Sequence, residues 1–380
     1  GEKMEIIGII AEYNPFHKGH LYQINKIKEL YPESIIIVIT SSSFCQRGEI
    51  SILNKWDKTA IALENGIDLV LELPFVFSSQ SADIFAKGAL KVLNELKITK
   101  LVFGSESNDL ETLKMIAKFQ IDYQNLEEEL QKEKDRGLNY PTALAKVIAR
   151  HTNKKVDLPN DLLAISYLKE IYKNNYAITP IAIKRTNSYH DLTITDNNII
   201  SAQAIRKLVK EGQDITPYTS SSVAKSIYKN IDIFPYLKYK ILSEDTFALA
   251  KYQTVEEGIE NKLKKEILNS QNLEELIFAV KSKRFTYNKI NRMLIHILTS
   301  LTKEEVKDLK VEYIRVLGFN SIGKNYLNKI KKKTSIPIIT KYQKGFKNLN
   351  IEYRITTIYS LLVNDQNLIK KEVGPPIRKE

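Results

Sequence analysis

Four short apolar runs, 6–11, 35–40, 68–73 and 100–103, are each rich in β-branched residues or leucine and are separated by longer stretches with helical spacing of apolar side chains. Runs of this length read as strands, and the segments 21–30, 54–65, 81–96 and 110–119 between and after them read as amphipathic helices. Strand and helix in alternation call for a parallel sheet covered on both faces, because each parallel connection must cross over the sheet. Ligands of such sheets sit beyond the carboxyl ends of the strands. His17, Arg47, Pro74 and Gly104 each follow a run closely, and a further run at 178–183 delivers Lys184 and Arg185, so all should crowd one rim. A polar helical stretch at 123–134 and the segment 139–142 read as an insertion over that rim, and the helix at 162–172 is expected to take Asn160 or Asp161 as its cap.

The first connection, Asn14-Pro15-Phe16-His17-Lys18-Gly19-His20, carries the chemistry. Two histidines flanking a glycine, between a strand and a helix start, suit a turn whose backbone approaches a phosphate while both imidazoles face one ligand. The segment resembles the HxGH signature of nucleotidyltransferases. That resemblance implies a HUP or Rossmann-like N-terminal domain that binds ATP and supports in-line attack on the α-phosphorus with loss of pyrophosphate. The run from Ile200 to Arg206 resembles a second element of such enzymes, ISSTxIR, with Ala202 and Gln203 in place of its second serine and threonine. Ser201 and Arg206 keep the spacing of a helix cap and a cationic clamp.

Further blocks extend the likeness over half the chain: Gln46-Arg47-Gly48-Glu49, Gln80 to Ala86, Phe103-Gly104-Ser105-Glu106, Pro159-Asn160-Asp161, Lys184-Arg185 and Tyr189-His190-Asp191. Block by block, these are similar to the bacterial tRNA(Met) cytidine acetate ligases. The resemblance implies that acetate and ATP give acetyl-adenylate and pyrophosphate, and that the acetyl group then passes to N4 of the wobble cytidine of elongator tRNA(Met), releasing AMP. It implies His17 and His20 as catalytic residues. It implies an ATP site built from Ile10, Ala11, Glu12, Tyr13, Asn14, Pro15, Phe16, His17, Lys18, Gly19 and His20, with Gly104, Asn160, Arg185, Ser201 and Arg206. The general base for acetyl transfer is not identified by the residues; Glu12, Asp68 and Glu106 lie near predicted strand ends, where capping explains them equally well. The role of Gln46 to Glu49, whether toward acetate, nucleotide or RNA, also stays open.

Charge divides the chain. Residues 1–200 hold 24 Lys+Arg against 26 Asp+Glu, a net of −2, and residues 201–380 hold 33 against 19, a net of +14, which together make the formal +12. Beyond Gly212 the spacing is helical throughout, over 220–228, 255–268, 273–282, 287–301, 303–311 and 326–333, without convincing strands. The expected organisation is therefore a catalytic domain at 1–215 and a mostly helical, basic, polyanion-binding domain at 216–380, joined by a linker at 214–217. Within the second, Lys283 to Arg292 mixes cations with aromatics as phosphate pairing and base stacking require, and Lys331-Lys332-Lys333 adds charge. Arg284, Arg292, Lys331, Lys332 and Lys333 are the candidate tRNA contacts.

Other chemistries are disfavoured. Cys45 is the single cysteine, which excludes an intrachain disulfide and a cysteine-rich metal site and fits a reducing cytoplasm. His151, His190 and His296 lack ligand-like spacing, so no protein-held metal is expected and Mg²⁺ would arrive with ATP. No run reaches the length of a membrane span, no obligate protein partner is evident, and the absence of a KMSKS-like loop argues against a class I synthetase. Two alternatives stay open from the residues: a small-molecule adenylyltransferase acting on nicotinate or pantetheine phosphates, and a non-catalytic RNA-binding module.

Overall fold

The computed structural model describes residues 3–185 and 199–380, so Tyr189, His190 and Asp191 lie outside the described residues. The strands β1 (Ile6–Ala11), β2 (Ile35–Thr40), β3 (Leu69–Glu72), β4 (Lys100–Ser105) and β5 (Thr179–Lys184) are parallel. β6 (Ile314–Phe319) adds antiparallel to β3, and the short β7 (Ile338–Ile339) and β8 (Ile377–Arg378) both pair with β6. Among the described residues these form one sheet in the order β5, β4, β1, β2, β3, β6, β7.

The central strands are apolar on both faces because helices cover both. Ile35, Ile37, Ile39, Leu69, Leu71, Leu101 and Phe103 belong to one core cluster, and the alternating Ile7, Ile9, Ile36, Val38, Val70 and Val102 to another. The helices Lys18–Leu30 and Lys55–Glu64 seal the second face with Ile24, Ile27, Ile61 and Leu63. The first face meets the helices Ala82–Glu95 and Pro159–Lys173, and its cluster continues without a break into Leu237, Leu263, Leu276, Ile290 and Leu294 of the C-terminal helices.

Three expectations are corrected here. The segment after Gly212 does contain strands: β6 to β8 extend the N-terminal sheet, so the division into 1–215 and 216–380 does not coincide with an edge of the sheet. The expected linker at 214–217 is packed, with Ile215 and Tyr218 buried, Lys18 N–H donating to Tyr218 O at 3.1 Å and Thr219 Oγ1 donating to Phe16 O at 2.6 Å. The expected helix at 303–311 is a set of turns. A buried ionic cluster joins β6 to the parallel strands: Lys55 Nζ lies 2.5 Å from Glu72 and 2.6 Å from Glu372, and Arg315 of β6 bonds Glu372 and lies 3.5 Å from Glu72.

Candidate active site

The HxGH turn begins a helix three residues earlier than its apolar spacing suggests, because the motif itself is the cap. His17 is the N-cap of Lys18–Leu30; its Nδ1 accepts from Gly19 N–H at 2.9 Å, while His20 Nδ1 accepts from His17 N–H at 3.1 Å. This is a capping box in which imidazoles replace the usual hydroxyl and carboxylate. The two rings stack with centroids 3.8 Å apart, and Tyr13 and Phe16 brace His20 from the side at 4.8 and 5.5 Å. A Cβ on Gly19 would lie 2.7 Å from His17 Cε1, so the motif's glycine is room for the first ring.

Capping also decides tautomers. With Nδ1 of each ring occupied as an acceptor, a neutral imidazole carries its proton on Nε2, and that N–H is the one donor each ring offers to the cavity that both line. Both rings are held neutral. Burial, then Arg185 and Arg206, pushes His17 down to about 3, and burial, then His17 and Arg185, holds His20 well below its ordinary value. The turn therefore presents two preset neutral donors where phosphate charge would build.

Around them one cavity at the carboxyl ends of β1, β4 and β5 brings together most of the expected nucleotide residues: Ile10, Ala11, Glu12, Tyr13, Asn14, Gly19, Gly104, Asn160, Arg185 and Arg206. Gly104 leaves space for Arg185, whose Cγ would stand 3.1 Å from an added Cβ. Asn160 is not a cap. Leu158 starts that helix, and the Glu106 carboxylate receives Asn160 N–H at 3.1 Å, Asn160 Nδ2 at 2.7 Å and Asp161 N–H at 3.0 Å. Arg206 donates to Asn14 O at 2.7 Å and to Glu49 at 2.5 Å, so it ties the HxGH turn to the 46–49 loop as well as facing the cavity. Pro15, Phe16 and Lys18 belong to the turn but not to the cavity wall, and Ser201 serves as the N-cap of Ala202–Lys210 through Ala204 N–H at 3.0 Å. Phe85, Phe103, Leu163 and Tyr167 form an apolar side of the cavity that the strand and helix pattern does not single out.

The basic candidates separate. Arg292, in the helix Tyr287–Leu298, is held beside Arg47: Asn291 Nδ2 donates to Arg47 O at 2.9 Å, and Gly48, at φ +80°, packs its α-carbon against the Arg292 backbone. Burial, then Arg47, lowers Arg292 to about 10. Arg284 is half exposed and bridges Glu257 at 3.1 Å, while neighbouring Lys283 O accepts from Asn139 Nδ2 at 2.8 Å. Lys331 to Lys333 follow the helix Ser321–Ile330, whose Tyr326 hydroxyl bonds Leu96 O ahead of β4. These three lysines thus lie at the amino edge of the sheet, opposite the catalytic rim.

The chain is similar to known proteins over most of its length. The HIGH Nucleotidyl Transferase family matches residues 4–373. The tRNA(Met) cytidine acetate ligase of Geobacillus sp. (strain WCH70) is 36% identical over 357 residues, covering 89% of either chain, and that of Bacillus licheniformis is 37% identical over 383 residues, covering 94% of this chain and 92% of its own. The crystal structure of apo Thermotoga maritima TmcAL is similar over 99% of both chains at 27% identity with a TM-score of 0.90, and the form bound with α-thio ATP at the same identity and coverage with a TM-score of 0.87. The chain belongs to the HIGH nucleotidyl transferase family and, within it, to the tRNA(Met) cytidine acetate ligases.

Proposed function

We propose that this protein is an ATP-dependent ligase that activates acetate as acetyl-adenylate and transfers the acetyl group to N4 of the wobble cytidine of elongator tRNA(Met), giving N4-acetylcytidine. The observation that carries the first half-reaction is the pair of neutral Nε2–H donors fixed by the capping box. An acetate oxygen attacks the α-phosphorus, the bond to pyrophosphate breaks, and His17 and His20 hold the phosphate oxygens whose charge rises. Arg185, which closes the end of β5 beside both rings, supplies positive charge; Arg206 adds to it while fixing the turn. Acetyl transfer follows when the cytidine amine attacks the activated carbonyl and AMP departs.

Among the described residues no group of three or more His, Cys, Asp or Glu is placed to hold a metal ion. In this reading Mg²⁺ would be carried by the triphosphate oxygens. The RNA would enter past Arg47 and Arg292, which flank the rim, with Arg284 farther along the same side. No helix of the described residues is long and apolar enough to cross a membrane, and the lone Cys45 is buried and unpaired in a disulfide sense, which is compatible with work in the cytoplasm. The test is ATP–pyrophosphate exchange with and without acetate, followed by transfer of label from acetate to tRNA. Exchange that ignores acetate, with AMP passed to a small phosphate acceptor, would replace this reading with that of an adenylyltransferase.

A further inference from the structure

We propose that Glu12 is the general base of acetyl transfer, accepting the proton that the cytidine N4 amine loses as it attacks acetyl-adenylate. The proposal rests on the transfer reaction proposed above and adds the residue that its second step requires. Cytosine N4 is a weak nucleophile because its lone pair is delocalised into the ring. When the N4–C bond forms and the carbonyl–oxygen bond to AMP breaks, AMP leaves with the electron pair as its phosphate anion, and the N4 proton needs an acceptor.

Among the described residues the cavity offers few. Both imidazoles are unsuited, since each already uses Nδ1 as an acceptor and carries its proton on Nε2. Cys45 and Tyr167 are buried at the cavity wall, and burial pushes both well up, so they are protonated. Glu49 is paired with Arg206 at 2.5 Å. Outside the cavity wall, Glu106 is occupied by three N–H groups and Asp68, at the amino end of β3, receives Ile36 N–H at 2.9 Å and Asn320 Nδ2 at 2.7 Å. Glu12 remains. It stands one residue beyond β1, lines the cavity, and is fixed from one side only, where its Oε2 accepts from Gln46 N–H at 2.8 Å and Ser41 Oγ at 3.3 Å. Among the described residues no lysine or arginine nitrogen lies within 4.0 Å of it.

Its surroundings favour proton uptake. Burial raises Glu12, and Glu49 adds to the rise, against the Gln46 N–H, Lys58 and Cys45, which favour the anion. Lys58, from the helix Lys55–Glu64, is itself turned to the carbonyls of Ser41 and Ser42 at 3.1 and 3.0 Å. Tyr167 feels the Glu12 charge, and the two histidines, Lys184, Arg185 and Arg206 are among the other groups that line the same cavity. A carboxylate with a raised pKa is the stronger base, provided the pH is above it.

The experiment separates the half-reactions. In Glu12→Gln the amide can still accept from Gln46 N–H, and because Glu12 also lines the nucleotide cavity, the loss in acetate-dependent ATP–pyrophosphate exchange is the reference against which the loss in transfer is read. Transfer from preformed acetyl-adenylate to tRNA should fall by about 10² or more, in the range of a lost general base. The wild-type transfer rate should rise with pH to a plateau, and that limb should vanish in Glu12→Gln. Ser41→Ala, which removes a donor to the anion, should move the limb to higher pH with the protein folded. Equal losses in both half-reactions would make Glu12 a nucleotide contact, and transfer at the wild-type rate would place the base elsewhere; either result overturns the proposal. A wild-type protein that exchanges pyrophosphate but never acetylates tRNA would overturn the underlying transfer reaction itself.

Discussion

Replacing His17 by asparagine separates two jobs that the imidazole does at once. Asparagine Oδ1 falls near the position of Nδ1 and can still accept from Gly19 N–H, now 2.9 Å from the ring nitrogen, but nothing occupies the place of Nε2–H. Loss of one preset donor to a developing anion costs about 2.7–4 kcal/mol, or about 10²–10³ in rate. Loss of an N-cap costs about 1 kcal/mol of stability. His17→Asn should therefore lose about 10²–10³ in acetate-dependent pyrophosphate exchange with stability within a few tenths of a kcal/mol, whereas His17→Ala should show the same kinetic loss and, in addition, unfold at lower urea by about 1 kcal/mol. The pH profile tests the protonation state. A histidine whose pKa is pushed down to about 3 by burial and by Arg185 and Arg206 is neutral at every pH above that value. The histidines should then contribute no fall in kcat/KM for ATP as pH rises from 5 to 8, since kcat/KM reports the free enzyme. A decline through pH 6 to 7 that disappears in His17→Asn, or near-normal exchange by that variant, would refute the neutral-donor argument.

Gly19→Ala should lower pyrophosphate exchange by about tenfold or more without loss of stability, because the new Cβ, 2.7 Å from His17 Cε1, displaces the ring while alanine favours the helix by about 1 kcal/mol; wild-type exchange would show that the ring position is not critical. Lys55→Met should cost about 3–5 kcal/mol in urea unfolding, as it strands the buried Glu72 and Glu372, and adding Glu372→Gln should recover part of it; a single-variant cost under about 1 kcal/mol would mean that the carboxyls simply take up protons. Arg292→Ala should slow acetyl transfer at saturating tRNA, whereas Lys331, Lys332 and Lys333→Ala together should only flatten the salt dependence of tRNA binding, by at most about 3 in slope; equal effects on the saturated rate would show that the two edges of the sheet are not distinguished by the RNA.

What could be read from residues alone follows the range of the forces involved. β1 to β5 and the helices between them announce themselves because burial on both faces leaves uninterrupted apolar runs such as Ile35–Thr40. The HxGH turn is legible for a related reason, since a capping box is complete within four residues. β6 is equally buried over all its residues, yet Arg315 in its second position makes the run look amphipathic; the carboxylates that satisfy it, Glu72 and Glu372, are 243 and 57 residues away. The segment 303–311 has helical spacing of charges, but Glu305 is drawn to Arg354 at 2.8 Å and caps Thr302 N–H, which favours turns there. Glu49 and Arg206 are separated by 157 residues, and no local pattern could have paired them.

The charge asymmetry does not follow the edge of the sheet. A net of +14 after residue 200 suggests a polyanion partner, but it says nothing about where one packed body ends. In the folded chain the helix Tyr287–Leu298 from the basic half is built directly on the catalytic rim: His296 Nε2 meets Ser79 O at 2.7 Å and Asn291 holds Arg47 O. The next residues of that same loop hold the chemistry, Gln46 N–H on Glu12 and the Glu49 carboxylate on Arg206. Four consecutive residues, Gln46 to Glu49, therefore touch Glu12, the helix that carries Arg292, and the arginine that fixes the HxGH turn. Their glycine is required by this arrangement, since a side chain on Gly48 would meet the backbone of Asn291 and Arg292 at 2.7 Å and strain a φ of +80°. The loop is a seam at which residues of the basic half and of the nucleotide rim pack together.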